Sequence, residues 1–124
     1  MILELDNYWE LLALHKSLMA VKFDPEAYLK EAQGSPFTSS LAFKVFDLLV
    51  SYLNEEGKTK QAQEWLAWQV ADQSRFETQL LLKRISQSPW WADADEEYRN
   101  KYVVEFMSPL KLEADIQSDI IKNC

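Results

Sequence analysis

The chain has 124 residues, of which 48% are apolar and 27% charged, and it contains five Trp, five Tyr and six Phe. A chain of this length and composition can bury a sizeable core, which excludes intrinsic disorder and predicts one domain over residues 1–124. Only two glycines are present. Because tight turns between strands depend on glycine, the composition predicts an all-α fold.

The net charge of −7 is distributed unevenly, since 1–57 and 91–124 are acidic and 58–90 is mildly basic. An acidic surface repels phosphates, and the basic pair Lys83-Arg84 is too small for a phosphate-tracking groove, so we expect no nucleic-acid partner. No apolar run reaches the roughly 18–20 residues of a membrane span, and the amino terminus lacks the pattern of a signal peptide. The sequence therefore predicts a cytoplasmic protein with no membrane partner.

The first predicted helix lies near 6–21, where apolar residues recur at helical spacing and Asp6 is the expected N-cap. Asp24-Pro25 has the pattern of an N-cap followed by proline at the first helical position. We expect a short helix there, running through Tyr28 and ending at Gly34.

The next predicted helices lie near 39–56 and 59–86, separated by Gly57, which is a suitable C-terminal cap. Ser74-x-x-Glu77 is a capping box. It would either begin a separate helix or follow a kink in one long helix over 59–86.

A further helix is predicted near 94–107, with Asp93 or Asp95 as its N-cap. A last helix would carry apolar residues between Leu112 and Ile121. No segment has the alternating pattern of a strand. The sequence thus predicts an all-α, single-domain irregular bundle of five to seven helices.

The pair Trp90-Trp91 is the most informative feature for function. Adjacent indoles point in different directions, so one small core rarely buries both. We expect one of them near the surface, where exposed Trp and Tyr side chains serve as anchors in protein interfaces. Tyr98 lies close enough in sequence to join them. We therefore predict that Trp90, Trp91 and Tyr98 anchor a partner.

Four carboxylates follow the doublet, at Asp93, Asp95, Glu96 and Glu97. Acids at a helix start also stabilise the positive end of the helix dipole, which is the structural explanation for the same residues. Beside exposed aromatics they would attract a basic partner. We predict that these four side chains steer such a partner into contact.

Two further features have a structural and a functional interpretation. His15 lies on an apolar stripe, where it is either a buried core histidine or a proton carrier. Trp65 and Trp68 either fill the core or line a cavity for an apolar ligand. The sequence favours the core interpretation for both features, with a ligand pocket as the alternative.

The motifs of common enzymes are missing: there is no glycine-rich phosphate loop, HExxH, CxxC or nucleophile elbow. One histidine and one cysteine, Cys124, cannot form the usual zinc ligand sets. We therefore expect a non-enzymatic protein with no metal and no cofactor.

The leading functional hypothesis is a small acidic inhibitor of the immunity-protein type, which neutralises a basic protein partner by direct binding. The alternative is an adaptor or assembly chaperone, acting as a monomer or a homodimer, that uses a helical hairpin over 41–70 as its contact surface. The sequence does not identify the partner or the oligomeric state.

Overall fold

The computed structural model describes residues 1–124 and confirms the all-α prediction, with 69% of the chain helical and seven α-helices. They are α1 (Tyr8–Lys22), α2 (Lys30–Gln33), α3 (Pro36–Glu55), α4 (Thr59–Gln69), α5 (Phe76–Ser86), α6 (Glu96–Met107) and α7 (Ala114–Asn123). The chain divides into two compact units, unit 1 (Met1–Trp68) and unit 2 (Gln69–Cys124). That residues 1–124 form one domain stays a prediction. None of the helices combines the length and apolar character needed to cross a membrane.

Helix α1 is capped by Asn7 and not, as the sequence suggested, by Asp6. The Asn7 side chain accepts a hydrogen bond from the Glu10 amide at 3.0 Å. The Glu10 carboxylate in turn accepts from the Asp6 amide at 2.6 Å. Asp6 therefore lies one residue outside the helix and contributes its backbone N–H to the reciprocal cap.

The segment after α1 forms a tight turn where the sequence predicted a helix. Asp24 accepts hydrogen bonds from the amides of Glu26 and Tyr28, at 3.0 and 3.2 Å. Ala27 has φ of 52°, in the left-handed region, which a right-handed helix cannot accommodate. The helix is consequently delayed to the four residues of α2, and Gly34 ends it as predicted.

Helix α3 begins three residues earlier than expected because Ser35 and Pro36 form its start. Ser35 is the N-cap, accepting from the Phe37 amide at 3.1 Å, and Pro36 takes a first-turn position that needs no N–H donor. At the other end Gly57 has φ of 75°, and the Lys58 amide donates to the Leu53 carbonyl at 2.8 Å. This is the glycine cap that the sequence predicted.

The core of unit 1 lies between α1 and α3 and is extended by side chains of α4. Its buried members are Leu11, Val45, Phe46, Leu49, Val50, Leu53 and Ala62. Trp65 and Trp68 pack against this cluster while remaining partly exposed. Near the end of α1 the Lys22 side chain is also buried, with Nζ 5.5 Å from the centre of the Phe23 ring.

Of the two alternatives for 59–86, the separate helix forms and the single long helix is wrong, because 70–75 separates α4 from α5. Two short strands occur instead of none: β1 (Val70–Ala71) pairs in parallel with β2 (Lys111–Leu112). The break continues with a turn in which Ser74 bonds to the Asp72 carboxylate. Ser74 is therefore not the N-cap of α5, and the predicted capping box does not form.

The core of unit 2 is built by α5, α6 and α7. Its buried apolar side chains include Leu80, Leu81, Ile85, Trp91, Val103, Met107, Leu110, Leu112, Ile120 and Ile121. A single 3₁₀ turn, Trp91–Asp93, precedes α6, and Asp95 caps α6 by accepting from the Tyr98 amide at 2.8 Å. Of the two predicted caps, Asp95 is the one used.

Candidate functional site

The two indoles of the doublet have different environments in unit 2. Trp91 is 4% exposed, whereas 37% of Trp90 is accessible to solvent. The expectation that one indole of the pair would lie near the surface is therefore confirmed. The structure also identifies which one it is, and this determines the geometry of the site.

Trp91 is held in place by contacts of its indole ring and of its backbone carbonyl. Its Nε1–H donates to the Cys124 carbonyl at 2.9 Å. The Arg99 guanidinium lies 4.9 Å from the ring centre and donates to the Trp91 carbonyl at 2.8 and 3.0 Å. A third Arg99 donor reaches the Ile121 carbonyl at 2.8 Å. Trp91 thus joins the 3₁₀ turn to α6 and α7.

Trp90 lies against three aromatic rings that fix its orientation. Its ring centre is 5.8 Å from that of Trp91, 5.5 Å from Tyr98 and 5.0 Å from Tyr102. The three interplanar angles are 62°, 85° and 73°, the edge-to-face arrangement that aromatic pairs favour. We call these four side chains the Trp90 cluster. Trp90 and Tyr98, the latter 55% exposed, are its solvent-facing members.

The helical spacing of Tyr98 and Tyr102 explains how one face of α6 supplies two of these rings, since residues four apart are neighbours on a helix. Tyr102 was not predicted as part of the site, although its position four residues after Tyr98 on a predicted helix indicates that the two rings share a face. Burial raises the pKa of Tyr102, while the Arg84 charge opposes that rise. Arg99 was also missed, because nothing in its sequence neighbours indicates that it stacks on Trp91.

The four predicted acids are exposed, and none of them forms an ion pair within the chain. Asp95 uses one carboxylate oxygen to cap α6, and Glu96 and Glu97 occupy the first turn of that helix. These positions favour negative charge because the free amides of the first turn carry partial positive charge. The carboxylates of Asp95, Glu96 and Glu97 therefore stabilise the start of α6 and remain exposed to solvent.

The structure brings four of the seven predicted residues to one depression of about 410 Å³. It is lined by Trp90, Asp93, Ala94, Asp95 and Tyr98. We call it the Trp90 depression. Glu97 instead lines a neighbouring hollow that Tyr98 also lines, and Glu96 and Glu97 border the groove between α6 and α7. Trp91 contacts the Trp90 ring from the interior.

His15 lies in unit 1, where its imidazole is 3% exposed and surrounded by aromatic rings. Its ring centre is 5.2 Å from Trp65, 5.4 Å from Trp68 and 6.0 Å from Phe46. Burial lowers the pKa of His15, and the neighbouring Lys16 charge lowers it further. This environment favours a neutral imidazole packed as part of the core.

No group of three or more His, Cys, Asp and Glu side chains is arranged to hold a metal ion. Comparisons of the chain with protein-family models, with curated proteins and with solved structures find no match.

Proposed function

We propose that this chain is a small acidic binding protein of the immunity type, which neutralises a basic protein partner in the cytoplasm by covering part of its surface. One observation carries the proposal: the exposed rings of Trp90 and Tyr98 lie beside exposed carboxylates that form no ion pair within the chain, in one depression. We further propose that the chain binds its partner without transforming it chemically.

The packing of the exposed rings supports an anchoring role. Trp90 packs against Trp91 and Tyr102, and Trp91 is fixed by its hydrogen bond to Cys124 and by Arg99. Side chains that are already ordered lose little conformational entropy when they bind, so more of the contact energy contributes to affinity. We therefore propose that Trp90 and Tyr98 contact the partner directly and that Trp91 supports them from the interior.

The charges beside these rings support electrostatic steering. Asp93 and Asp95 border the depression, and Glu96 and Glu97 extend the negative surface along the first turn of α6. The chain as a whole carries a net charge of −7. A field of one sign raises the association rate with a partner of opposite sign, and salt weakens this effect.

The proposal is tested by affinity capture from the native host, followed by kinetics with the purified partner. Trp90→Ala should weaken binding by about tenfold or more, as expected for an interface anchor. Trp9→Ala is the matched control, since Trp9 is an exposed indole in unit 1 with 72% of its surface accessible. Equal losses for the two variants, or an association rate that does not depend on salt, would contradict the proposal.

An adaptor or assembly chaperone is the second candidate, and the outer face of α3 favours it. Apolar side chains are exposed there at Phe37, Leu41 and Leu48, and on α4 at Leu66. Exposed apolar residues that recur along one helix are typical of a surface that another helix covers. These residues belong to unit 1, whereas the Trp90 cluster belongs to unit 2.

Oligomeric state separates the two candidates. If α3 forms a homodimer or receives a helical client, the double variant Leu41→Glu and Leu48→Glu should abolish that assembly in light scattering. Both side chains are exposed, at 44% and 52%, so the fold should survive the change. A wild-type chain that is monomeric and has no helical client would exclude this second function.

A further inference from the structure

The walls of the Trp90 depression have a specific chemical character. Trp90 and Tyr98 form two of the walls, with ring centres 5.5 Å apart and planes at 85°. Asp93 and Asp95 supply carboxylates at the same depression. A corner of two perpendicular rings beside two negative groups suits a cation that can also lie flat against an aromatic surface.

We propose that the Trp90 depression receives one arginine side chain of the basic partner. This inference rests on the proposed function, because it names the group by which that partner is recognised. The guanidinium would pack against the exposed rings and donate hydrogen bonds to Asp93 and Asp95.

The chain contains an internal precedent for this contact. Arg99 places its guanidinium 4.9 Å from the centre of the Trp91 ring, on the other indole of the same doublet. Arg99 is occupied there by the carbonyls of Trp91 and Ile121. It therefore leaves the Trp90 depression open to a guanidinium from outside the chain.

Arginine fits this site better than lysine for reasons of geometry. One oxygen of Asp95 already accepts from the Tyr98 amide, which leaves its other oxygen and the two of Asp93 as acceptors. A guanidinium has five N–H donors in one plane and can span two carboxylates while it lies against a ring. A lysine ammonium is a compact charge that is more strongly hydrated and cannot stack in this way.

The test uses the intact chain and three short peptides that differ only in the central residue: arginine, lysine or citrulline. Citrulline has nearly the shape of arginine but no charge. Binding is followed by NMR shifts of the Trp90 indole N–H and the Tyr98 amide, with the Trp9 indole as internal reference. We expect millimolar binding of the arginine peptide, with citrulline weaker by about tenfold and lysine weaker by a few-fold.

The matched variant is Asp93→Asn with Asp95→Asn, which keeps the shape of both side chains. Asparagine is also a good N-cap, so α6 should remain folded. We expect the arginine peptide to bind this variant about tenfold more weakly, as for the loss of two charged acceptors. Arginine and citrulline peptides that bind alike, lysine that equals arginine, or an absence of shifts at Trp90 would each overturn the arginine site.

The outcomes also separate this inference from the proposed function. A captured basic partner that depends on Trp90, combined with no response to the arginine peptide, would refute the arginine site and leave the binding function standing. An arginine-specific response combined with partner binding that is unchanged by Trp90→Ala would show that the depression binds arginine, but it would refute both the proposed function and the assignment of that arginine to the partner.

Discussion

The different environments of the two indoles lead to a quantitative prediction for Trp91→Phe compared with Trp90→Phe. At position 91 the change removes the donor to the Cys124 carbonyl and leaves space around a smaller ring in a site that is 4% exposed. The lost hydrogen bond costs about 1 kcal/mol. The smaller ring adds about 1–2 kcal/mol for lost packing. We therefore expect a loss of roughly 2–3 kcal/mol in the free energy of unfolding.

At position 90 the same change occurs in a side chain that is 37% exposed and packs edge-to-face on its neighbours. Phenylalanine can keep most of those ring contacts, so we expect a loss of less than about 1 kcal/mol. The assay is urea and thermal unfolding followed by circular dichroism. At roughly 4 °C per kcal/mol, Tm should fall by about 8–12 °C for Trp91→Phe and by less than about 4 °C for Trp90→Phe. Equal losses would refute the distinction between a supporting and an exposed indole.

Three further predictions follow from other parts of the chain. Because burial lowers the pKa of His15 below 6.5, the unfolded state binds a proton first as the pH falls. The free energy of unfolding should therefore decrease from about pH 6.5 towards the folded-state pKa. His15→Gln should remove this decrease, as measured by urea unfolding at a series of pH values. Gly57→Ala should lower stability by about 1–2 kcal/mol because φ is 75°. Gly34→Ala, at an ordinary φ of −88°, should change stability by less than about 1 kcal/mol in the same assay. Replacing the four acids at 93–97 with amides should slow association with a basic partner several-fold at low salt, with little change in dissociation by stopped flow or surface plasmon resonance.

Local sequence signals were sufficient where the helix ends depend on neighbouring residues alone. Gly57 caps α3, and Asp95 caps α6, because each cap is made by groups within a few residues of one another. The same locality explains the all-α class, which follows from helical spacing and scarce glycine. Helix starts shift by a residue when two adjacent side chains can both cap, as Asp6 and Asn7 can.

Whether 59–86 forms one kinked helix or two helices could not be decided in this way, because the break between α4 and α5 depends on residues about forty positions later. Val70 and Ala71 pair with Lys111 and Leu112, and the buried Gln69 side chain donates to the Pro109 carbonyl at 2.9 Å. Apolar spacing through 59–86 is compatible with one helix until these distant partners are known. Tertiary contacts therefore override the local helical preference at this point.

The candidate site likewise depends partly on adjacent residues and partly on residues far along the chain. Two adjacent indoles imply one exposed ring, since their side chains leave the backbone in different directions. Which ring is buried depends on the Cys124 carbonyl, 33 residues away, and on Arg99, which bonds both Trp91 and Ile121. Those partners fix Trp91 in the interior and leave Trp90 beside Tyr98 at the surface. How α7 packs in unit 2 consequently determines which indole of the doublet is exposed. Under the proposed function, a substitution at Arg99 should disturb partner binding through the orientation of Trp90, although Arg99 does not line the depression.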